Sequence, residues 1–350
     1  MNKLRLAVVG PGLIGRKHLR LVADSDEVEV HSVVAPDDPE NHRIAYFYAV
    51  PMYETIEQCL DSGHVDGVII SSPNQFHFQQ ASVCIKANIP VLIEKPITVD
   101  LTEGVALVEL AKKFSAKVLV GHHRTYSPLL KTAQEVITSG RLGRLVSVAG
   151  SAQFYKPSQY FKDGPWRSQH GGGPLLINMI HEVGNLRTLI GEISAVQAIA
   201  SSEIRNFAVE DTVAINLVFE NGALGTFILS DTAATPKSWE QTSQENPRFP
   251  SYADEDCYII TGTRGTLSFP RMHIKAYPEH VEPSWWEPFE QQILPVSRLD
   301  PLKCQLDHFV KVIRGEEKPL VSAEEGLKNL QVIEAIRKAI ETHALVAIKD

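Results

Sequence analysis

Short apolar runs alternate with amphipathic stretches along the first third of the chain. Each run carries Val, Ile or Leu on both faces, which is typical of parallel strands covered by helices on both sides of a sheet. The predicted strands are Leu4–Val9, Val28–Val34, Gly67–Ser71, Val91–Ile93 and Lys117–Val120. The predicted helices are Ile14–Ala23, Phe76–Ala87 and Leu101–Phe114, and Asp100 with Glu103 is placed to cap the last of them. This alternation predicts a doubly wound α/β domain over residues 1–122.

The pattern changes after residue 122. The predicted helices and strands are, in chain order, Leu129–Ser139, Leu145–Phe154, Leu175–Ile190, Thr212–Phe219, Ala223–Ser230, Leu302–Ile313 and Ala323–Thr342. Asn221 and Gly222 separate two of these strands and favour a tight hairpin turn. The stretch Pro236–Asp256 is polar and aromatic without a period, which predicts a long functional loop. We therefore expect a second, α+β domain over residues 123–350, with a mainly antiparallel, open sheet.

Composition and charge narrow the classes of partner. The chain is 43% hydrophobic and 22% charged, which is ordinary for a soluble globular protein. Its formal net charge is −8 with both signs interspersed, so we expect no nucleic-acid partner, which would call for a basic stripe. No apolar run reaches the ~20 residues of a membrane span, and no apolar leader is seen, so we expect a cytoplasmic protein without a membrane partner. The four cysteines are scattered, which predicts reduced thiols and no metal site.

A glycine motif follows the first predicted strand and opens the first predicted helix. In Gly10-Pro11-Gly12-Leu13-Ile14-Gly15, one glycine makes a tight turn, one admits a pyrophosphate and one lets the helix pack on the strand. The N-terminus of the helix attracts the phosphates. The motif predicts a Rossmann domain whose dinucleotide is contacted by Gly10, Gly12, Leu13, Ile14 and Gly15.

An acidic residue at the end of the second strand usually binds the adenosine ribose of such a dinucleotide. Here Pro36 occupies the expected position, and Asp37 and Asp38 follow it. Asp37 is our predicted ribose ligand; Asp38 is the alternative, and both could instead be solvated turn residues. No arginine follows directly to receive a 2′-phosphate, so we expect NAD, with NADP left open.

Polar residues also follow the next two strands, at the carboxyl ends where an open parallel sheet borders its ligand. These residues are Ser72, Pro73, Asn74 and His77 after one strand, and Glu94, Lys95 and Pro96 after the other. Later landmarks are Gly121-His122-His123-Arg124, Trp166-Arg167, and Gly171-Gly172-Gly173 leading to His181. In this order the motifs resemble the Gfo/Idh/MocA oxidoreductases, which include glucose–fructose oxidoreductase and inositol dehydrogenases. The resemblance covers essentially the whole chain.

The resemblance implies hydride transfer between a nicotinamide and a secondary alcohol of a sugar, cyclitol or related polyol. It implies that Lys95 steadies the alkoxide and that His181 is the base, and in the family the Lys–Pro bond is often cis. Many members carry an aspartate four residues before this histidine, where the chain has Ile177. Asn178 stands beside it, as in a subgroup that uses asparagine, and it completes the predicted catalytic set. Glu182 either orients His181 or faces solvent.

The remaining site residues are also implied by the resemblance. The further cofactor contacts are Ser72, Pro73, Asn74, His77, Glu94, Lys95, Arg124 and Trp166. The substrate contacts are Lys95, Tyr155, Arg167, Asn178 and His181, and Lys156 beside Tyr155 could also line the pocket. We expect no metal, because the adjacent His122 and His123 point apart if they lie on a strand.

Three other functions remain open from the sequence. The first is a cis-dihydrodiol dehydrogenase, which an apolar pocket would favour. The second is a non-catalytic, NAD(P)-sensing regulator, against which the presence of both Lys95 and His181 argues. The third is a redox-neutral, NAD-assisted glycoside hydrolase. Relatives often assemble through the second domain, so we expect a homodimer or homotetramer.

Overall fold

The computed structural model describes residues 3–348. The chain forms two compact units. The first unit comprises Met1–His123 and Leu302–Leu330, and the second comprises Arg124–Pro301 and Gln331–Asp350. The sequence predicts a division at residue 122, with Leu302–Leu330 in the second domain. In the structure, Leu302–Leu330 belongs to the first unit instead.

The first unit is built on a six-stranded parallel sheet. Its elements are β1 (Leu4–Val9), α1 (Leu13–Ala23), β2 (Val28–Val34), α2 (Pro39–Phe47), β3 (Met52–Tyr53), α3 (Ile56–Asp61), β4 (Gly67–Ile70), a 3₁₀ turn (Asn74–Phe76), α4 (His77–Lys86), β5 (Val91–Ile93), α5 (Leu101–Phe114) and β6 (Val118–Val120). The strand order is β3-β2-β1-β4-β5-β6, and every neighbouring pair is parallel. This is the order of a doubly wound nucleotide-binding sheet, so the predicted fold class of this part is confirmed.

Local signals explain both the correct and the missed elements of this unit. Helix α5 has the predicted bounds, and the Asp100 side chain accepts a hydrogen bond from the Glu103 amide at 2.9 Å. Helix α2 was not predicted, although Asp38 caps it and Pro39 opens it, a common pairing at helix starts. Ala45 is the only residue of α2 that is buried, so the helix has no apolar stripe for a periodicity to reveal.

The second unit is built on a nine-stranded sheet. Its elements begin with a 3₁₀ turn (His123–Tyr126), α6 (Pro128–Thr138), β7 (Leu145–Gln153), α7 (Ser158–Lys162), a 3₁₀ turn (Pro165–Ser168), a π-helical segment (Leu175–Met179) and α8 (Ile180–Leu189). They continue with β8 (Ile193–Ser201), β9 (Thr212–Phe219), β10 (Leu224–Ser230), α9 (Trp239–Thr242), β11 (Tyr258–Gly262), β12 (Gly265–Phe269), β13 (His273–Ala276) and β14 (Glu290–Ile293). The chain ends with α10 (Pro301–Arg314), α11 (Ala323–Thr342) and β15 (Val346–Ala347).

The strand order of this sheet is β14-β13-β12-β11-β7-β10-β9-β8-β15. Its pairs are antiparallel except for β7 with β10, which confirms the expectation of a mainly antiparallel sheet. The predicted hairpin joins β9 to β10, and Gly222 at its turn has a φ of +85°. Alternate residues of β9 are buried, so one face of the sheet carries the core of this unit.

Helix α10 and the start of α11 complete the first unit. The Ile313 side chain lies 2.8 Å from where a Cβ on Gly67 of β4 would stand, so the helix packs closely on the sheet. The Val120 amide of β6 donates to the Val321 carbonyl oxygen at 2.8 Å. These contacts place Leu302–Leu330 with the first unit, because its apolar side chains cover a sheet that residues 1–122 alone would leave exposed.

Candidate active site

In the glycine loop of the first unit, two glycines are required by the protein's own packing. Gly10 has a φ of +78°, and a Cβ on it would lie 2.6 Å from the Ser72 Cα atom. A Cβ on Gly15 would lie 2.1 Å from the Gly10 carbonyl oxygen, so only glycine lets helix α1 approach the loop this closely. The loop after β1 is therefore pressed against the end of β4.

Gly12 is different, because a Cβ there would meet no atom within 4 Å. It is the N-cap of α1, and no side chain caps the helix at this end. The first-turn amides of α1 are thus left for a ligand, and the partial positive charge of the helix N-terminus favours an anion. Leu13 is exposed and Ile14 is half-buried beside this opening. The residues present fit the pyrophosphate of a dinucleotide.

The two carboxylates after β2 are used differently. The Asp38 side chain accepts a hydrogen bond from the Glu40 amide at 2.8 Å, as the N-cap of α2. Asp37 remains exposed, and its Oδ1 lies 2.6 Å from His42 Nε2. Asp37 is therefore the carboxylate not used to cap the helix, and its contact with a ribose stays a prediction.

Loops after β4 and β5 are joined through His77. The side chain is buried, with Nδ1 lying 2.9 Å from the Pro96 carbonyl oxygen and Nε2 lying 3.0 Å from the Ser72 carbonyl oxygen. Burial lowers the pKa of His77, although the two carbonyls oppose the shift. Between these contacts, Pro73 is exposed and Asn74 is half-buried. His77 thus fixes the two loops that carry the predicted cofactor contacts.

Glu94 forms a buried pair that the sequence did not reveal. Its Oε1 lies 2.8 Å from His18 Nε2 of α1, and its Oε2 accepts a hydrogen bond from the Lys95 amide at 3.3 Å. Burial alone would raise the pKa of Glu94, but the hydrogen bond with His18 and the charges of His18, His123 and Lys95 lower it to about 2. A histidine in the buried stripe of α1, alongside Gly15 and Leu19, was the available signal.

Lys95 follows this pair at the carboxyl end of β5. Its side chain is half-buried, and the Lys95–Pro96 peptide bond is cis, as the resemblance implied. The structure therefore places Ser72, Glu94 and Lys95 at neighbouring strand ends of one sheet, on the side where the glycine loop also lies.

In the second unit, the candidate side chains gather at the π-helical segment. Asn178 lies in this segment and His181 in the first turn of α8, and both are buried. Lys156, just beyond β7, donates from Nζ to Asn178 Oδ1 at 2.7 Å. Segments of π-helix occur mostly as short insertions and frequently at functional sites. The sequence predicts Lys156 only as a lining residue, because its partner Asn178 lies 22 residues away along the chain.

The other predicted contacts of this unit are Tyr155 and Arg167 for the substrate and Trp166 for the cofactor, and Arg167 is half-buried. Tyr155 is exposed and pairs through its main chain with Thr232, and Trp166 is exposed. The Arg167 guanidinium lies 4.0 Å from the centre of the Tyr160 ring and donates to the Tyr160 carbonyl oxygen. The contacts of these three residues with cofactor and substrate stay predictions.

Arg124 is buried in an ion-pair network. It donates to Glu182 Oε1 at 2.5 Å and to Glu240 Oε1 at 2.6 Å, and it lies over the Trp239 ring. The other oxygen of Glu182 accepts a hydrogen bond from the Tyr258 hydroxyl. Burial raises the pKa of Glu182, although the charge of Arg124 opposes the shift. Glu182 therefore faces Arg124 and Tyr258 rather than solvent, and a cofactor contact by Arg124 stays a prediction.

Within residues 3–348, no group of three or more His, Cys, Asp or Glu side chains is arranged to hold a metal ion. The same part of the chain has no helix that is both long and apolar enough to span a bilayer. The four cysteines are thiols, and Cys59, Cys84 and Cys257 are buried.

A strand order of this kind, with a glycine loop that has room for a pyrophosphate, defines a dinucleotide-binding protein of the Rossmann class. Comparison with known proteins supports this assignment to the Rossmann class. Residues 4–122 match the family described as "Oxidoreductase family, NAD-binding Rossmann fold", and residues 130–268 match the "GFO/IDH/MocA C-terminal domain". The chain belongs to the GFO/IDH/MocA oxidoreductase family.

Individual relatives match along nearly the whole chain. The rhizopine catabolism protein MocA of Rhizobium meliloti is 26% identical over 96% of this chain and 94% of its own length. The myo-inositol 2-dehydrogenase of Thermotoga maritima is 21% identical over 99% of both chains. The WlbA dehydrogenase of Bordetella pertussis, solved with NADH and UDP-GlcNAcA, superposes with a TM-score of 0.80 at 20% identity over 100% of both chains. The last likeness concerns the fold alone.

Proposed function

We propose that this protein is an NAD-dependent dehydrogenase that acts on a secondary alcohol of a sugar, a cyclitol or a related polyol. The observation that carries the proposal is the presence, in one chain, of an open dinucleotide loop at Gly12 and a buried imidazole at His181. A protein that only senses the cofactor has no need of a buried proton acceptor. The relative named as a myo-inositol 2-dehydrogenase supports the class of substrate.

The cofactor site is assigned to the first unit. The α1 N-terminus and Gly12 would hold the pyrophosphate, and Asp37 would bind the ribose hydroxyls. A free 2′-hydroxyl suits a carboxylate, whereas a 2′-phosphate would be repelled by it, so we propose NAD rather than NADP. When bound, NAD supplies the hydride acceptor.

Two side chains of this protein handle the proton and the charge in the proposed reaction. His181 accepts the hydroxyl proton, because a neutral imidazole is a competent base near neutral pH. The Lys95 ammonium stabilises the negative charge that develops on the substrate oxygen as that proton leaves. The side chain of Ile177 has no ionisable group, so no proton relay passes through the position where many relatives have aspartate.

Lys95→Met tests the proposal. We expect wild-type protein to reduce NAD with pooled sugars, cyclitols or diols, and Lys95→Met to lower turnover at least ~10²-fold. The measurement is NADH absorbance, together with NADH binding by fluorescence, which we expect to persist in the variant. Lys86→Met, at an exposed position on α4, is the matched control and should behave as wild type.

Three results would contradict the proposal. Near-normal turnover of Lys95→Met would remove Lys95 from the reaction. Tight NADH binding without any turnover by wild type would instead favour a sensor or a redox-neutral hydrolase. Turnover confined to apolar diols would favour the cis-dihydrodiol alternative.

The expected homodimer or homotetramer is supported by apolar side chains on one face of the nine-stranded sheet. Ile199, Leu224 and Ile259 are exposed there, and each pairs with a residue that is small or polar on a neighbouring strand: Ala214, Ser147 and Ala149. An exposed apolar sheet face is a common subunit contact.

A further inference from the structure

Lys156 is held in a buried position at the end of β7. Its Nζ lies 2.7 Å from Asn178 Oδ1 and 3.7 Å from Asp231 Oδ2, and it lies 5.0 Å from the centre of the Tyr160 ring. The main chain is fixed as well, because the Lys156 amide donates to the Asp231 carbonyl oxygen at 2.9 Å. Burying an unpaired lysine costs free energy, so these contacts are needed to hold the Lys156 ammonium in this position.

Asp231 is also the partner of Arg205. The Arg205 Nε donates to Asp231 Oδ1 at 2.6 Å, and its Nη2 donates to the Lys156 carbonyl oxygen at 2.9 Å. The Lys156 ammonium is closer to the Asn178 amide oxygen, at 2.7 Å, than to the Asp231 carboxylate, at 3.7 Å.

This contact fixes which way the Asn178 amide is turned. An ammonium group can only donate hydrogen bonds, so the atom that faces Lys156 must be the amide oxygen. The two amide N–H bonds then point away from the lysine. An amide whose oxygen accepts a bond from a cation is polarised, and its N–H groups become stronger donors. Asn178 is thereby set to donate to a ligand rather than to accept from one.

We propose that Lys156 is a positioning residue that fixes Asn178 as a hydrogen-bond donor to the reacting oxygen of the substrate. A hydroxyl that accepts from Asn178 must direct its own hydrogen elsewhere. His181 stands three residues on, at a neighbouring position of the helix surface, and is the acceptor for that hydrogen. The polarity is the reverse of a site with a carboxylate at position 177, which can only accept.

The assignment of the reacting oxygen rests on the proposed function, whereas the orientation of the amide does not. As a proton leaves the hydroxyl, its oxygen gains negative charge and the bonds from the polarised amide strengthen. The pair therefore favours the transition state over the bound alcohol. It selects substrates whose reacting oxygen is free to accept a hydrogen bond.

Asn178→Asp separates donation from acceptance. The aspartate keeps an oxygen facing Lys156 and so retains the buried pair, but it loses both N–H donors. We expect unchanged thermal stability and NADH affinity, with kcat/KM lowered at least ~10-fold for any substrate found active. Asn88→Asp, at an exposed position just after α4, is the matched control. Wild-type or higher kcat/KM in Asn178→Asp would overturn the proposal.

Lys156→Met and Lys156→Arg test the lysine itself. We expect the methionine variant to lose ~10-fold in kcat, because the amide is no longer held in one orientation, and the arginine variant to recover part of it. A purely structural role would instead lower the thermal stability of Lys156→Met while kcat of the folded protein stayed normal, and that result would overturn the proposal.

The hydrogen bond can also be observed without a substrate. In ¹⁵N-lysine NMR spectra of the whole protein, we expect a protected ammonium signal that is absent from Lys156→Met and shifted in Asn178→Asp. If wild type proves inactive with every alcohol while this signal behaves as expected, the proposed function fails and the amide orientation stands. If the ammonium signal is unchanged in Asn178→Asp, the inference fails whatever the activity.

Discussion

Gly10 and Gly12 are two residues apart in one loop, yet a methyl group would meet different surroundings at each. At Gly10 it would lie 2.6 Å from main-chain atoms of Ser72, on a residue with a φ of +78°. At Gly12 it would extend into open space. Gly10 is required by the fold, whereas Gly12 is required only if a ligand approaches.

This contrast gives a prediction for a matched pair of variants. Gly12→Ala should leave the free energy of unfolding within about 0.5 kcal/mol of wild type and raise the Kd for NADH at least ~10-fold. Gly10→Ala should lower the free energy of unfolding by about 1–3 kcal/mol or more. Urea unfolding and NADH fluorescence titration measure the two effects. Normal NADH binding by Gly12→Ala would mean that no pyrophosphate passes over this glycine.

At the same scale, the candidate site was only partly predictable from the sequence. The glycine loop and Lys95 stand in local motifs whose chemistry is readable from their spacing. His18 and Lys156 belong to no such local motif, because their partners Glu94 and Asn178 lie 76 and 22 residues away along the chain. No pattern within a single element could have revealed these two pairs.

At the scale of elements, the segment Pro236–Asp256 was predicted as a long functional loop, but part of it is anchored in the core. Trp239 of α9 is buried and donates from Nε1 to Glu245 Oε2 at 3.0 Å. The Ser127 hydroxyl donates to the other oxygen of Glu245. Burial raises the pKa of Glu245 to about 7, although both hydrogen bonds and Arg124 oppose the shift.

A carboxyl whose pKa is raised by folding makes stability fall as pH rises. The contribution of Glu245 is fully present below its ordinary pKa of about 4.5 and is lost as pH rises through about 7. Glu245→Gln removes this titration. We expect its free energy of unfolding, relative to wild type, to increase by about 3 kcal/mol between pH 4.5 and pH 8, measured by urea unfolding.

The control for this prediction is Glu255→Gln in the same segment, where the carboxylate is partly exposed and paired with Lys237. Its difference from wild type should change little over that pH range, because exposed ion pairs contribute little. A pH profile of Glu245→Gln that runs parallel to wild type would show that Glu245 does not titrate in this range.

The two helices whose bounds were predicted correctly share one property. Helices α5 and α11 have the predicted bounds, because each carries a sustained apolar stripe and clear end signals. The short strands β3 and β14 lack such a signal. β14 is exposed at all four of its positions, so it is a strand only because it pairs with β13.

At the scale of the whole molecule, the segment Leu302–Leu330 completes the first unit. Gly104 and Gly326 are two points of close approach between the returning segment and residues 1–123. A Cβ on Gly104 would lie 2.8 Å from a Leu327 methyl group, and one on Gly326 would lie 2.7 Å from a Val120 methyl group. The first unit is thus assembled from two separate stretches of chain.

We therefore expect residues 1–123 alone to fail to fold cooperatively, because the part of the sheet covered by Ile313 and the part of helix α5 covered by Leu327 would be exposed. Residues 1–123 joined to 302–330 by a flexible linker should show a cooperative thermal transition and bind NADH. Circular dichroism and NADH fluorescence are the measurements. Cooperative folding and NADH binding by residues 1–123 alone would show that the returning segment is dispensable.

The sequence by itself determined the alternation of strands and helices, the glycine loop and the order of motifs along the chain. These follow from hydrophobic periodicity and from the conformational freedom of glycine, which act over a few residues. The tertiary structure decided which distant side chains meet: His18 with Glu94, Lys156 with Asn178, and Leu302–Leu330 with the first unit. Those contacts depend on strand order and helix packing, which bring together residues that no local pattern connects.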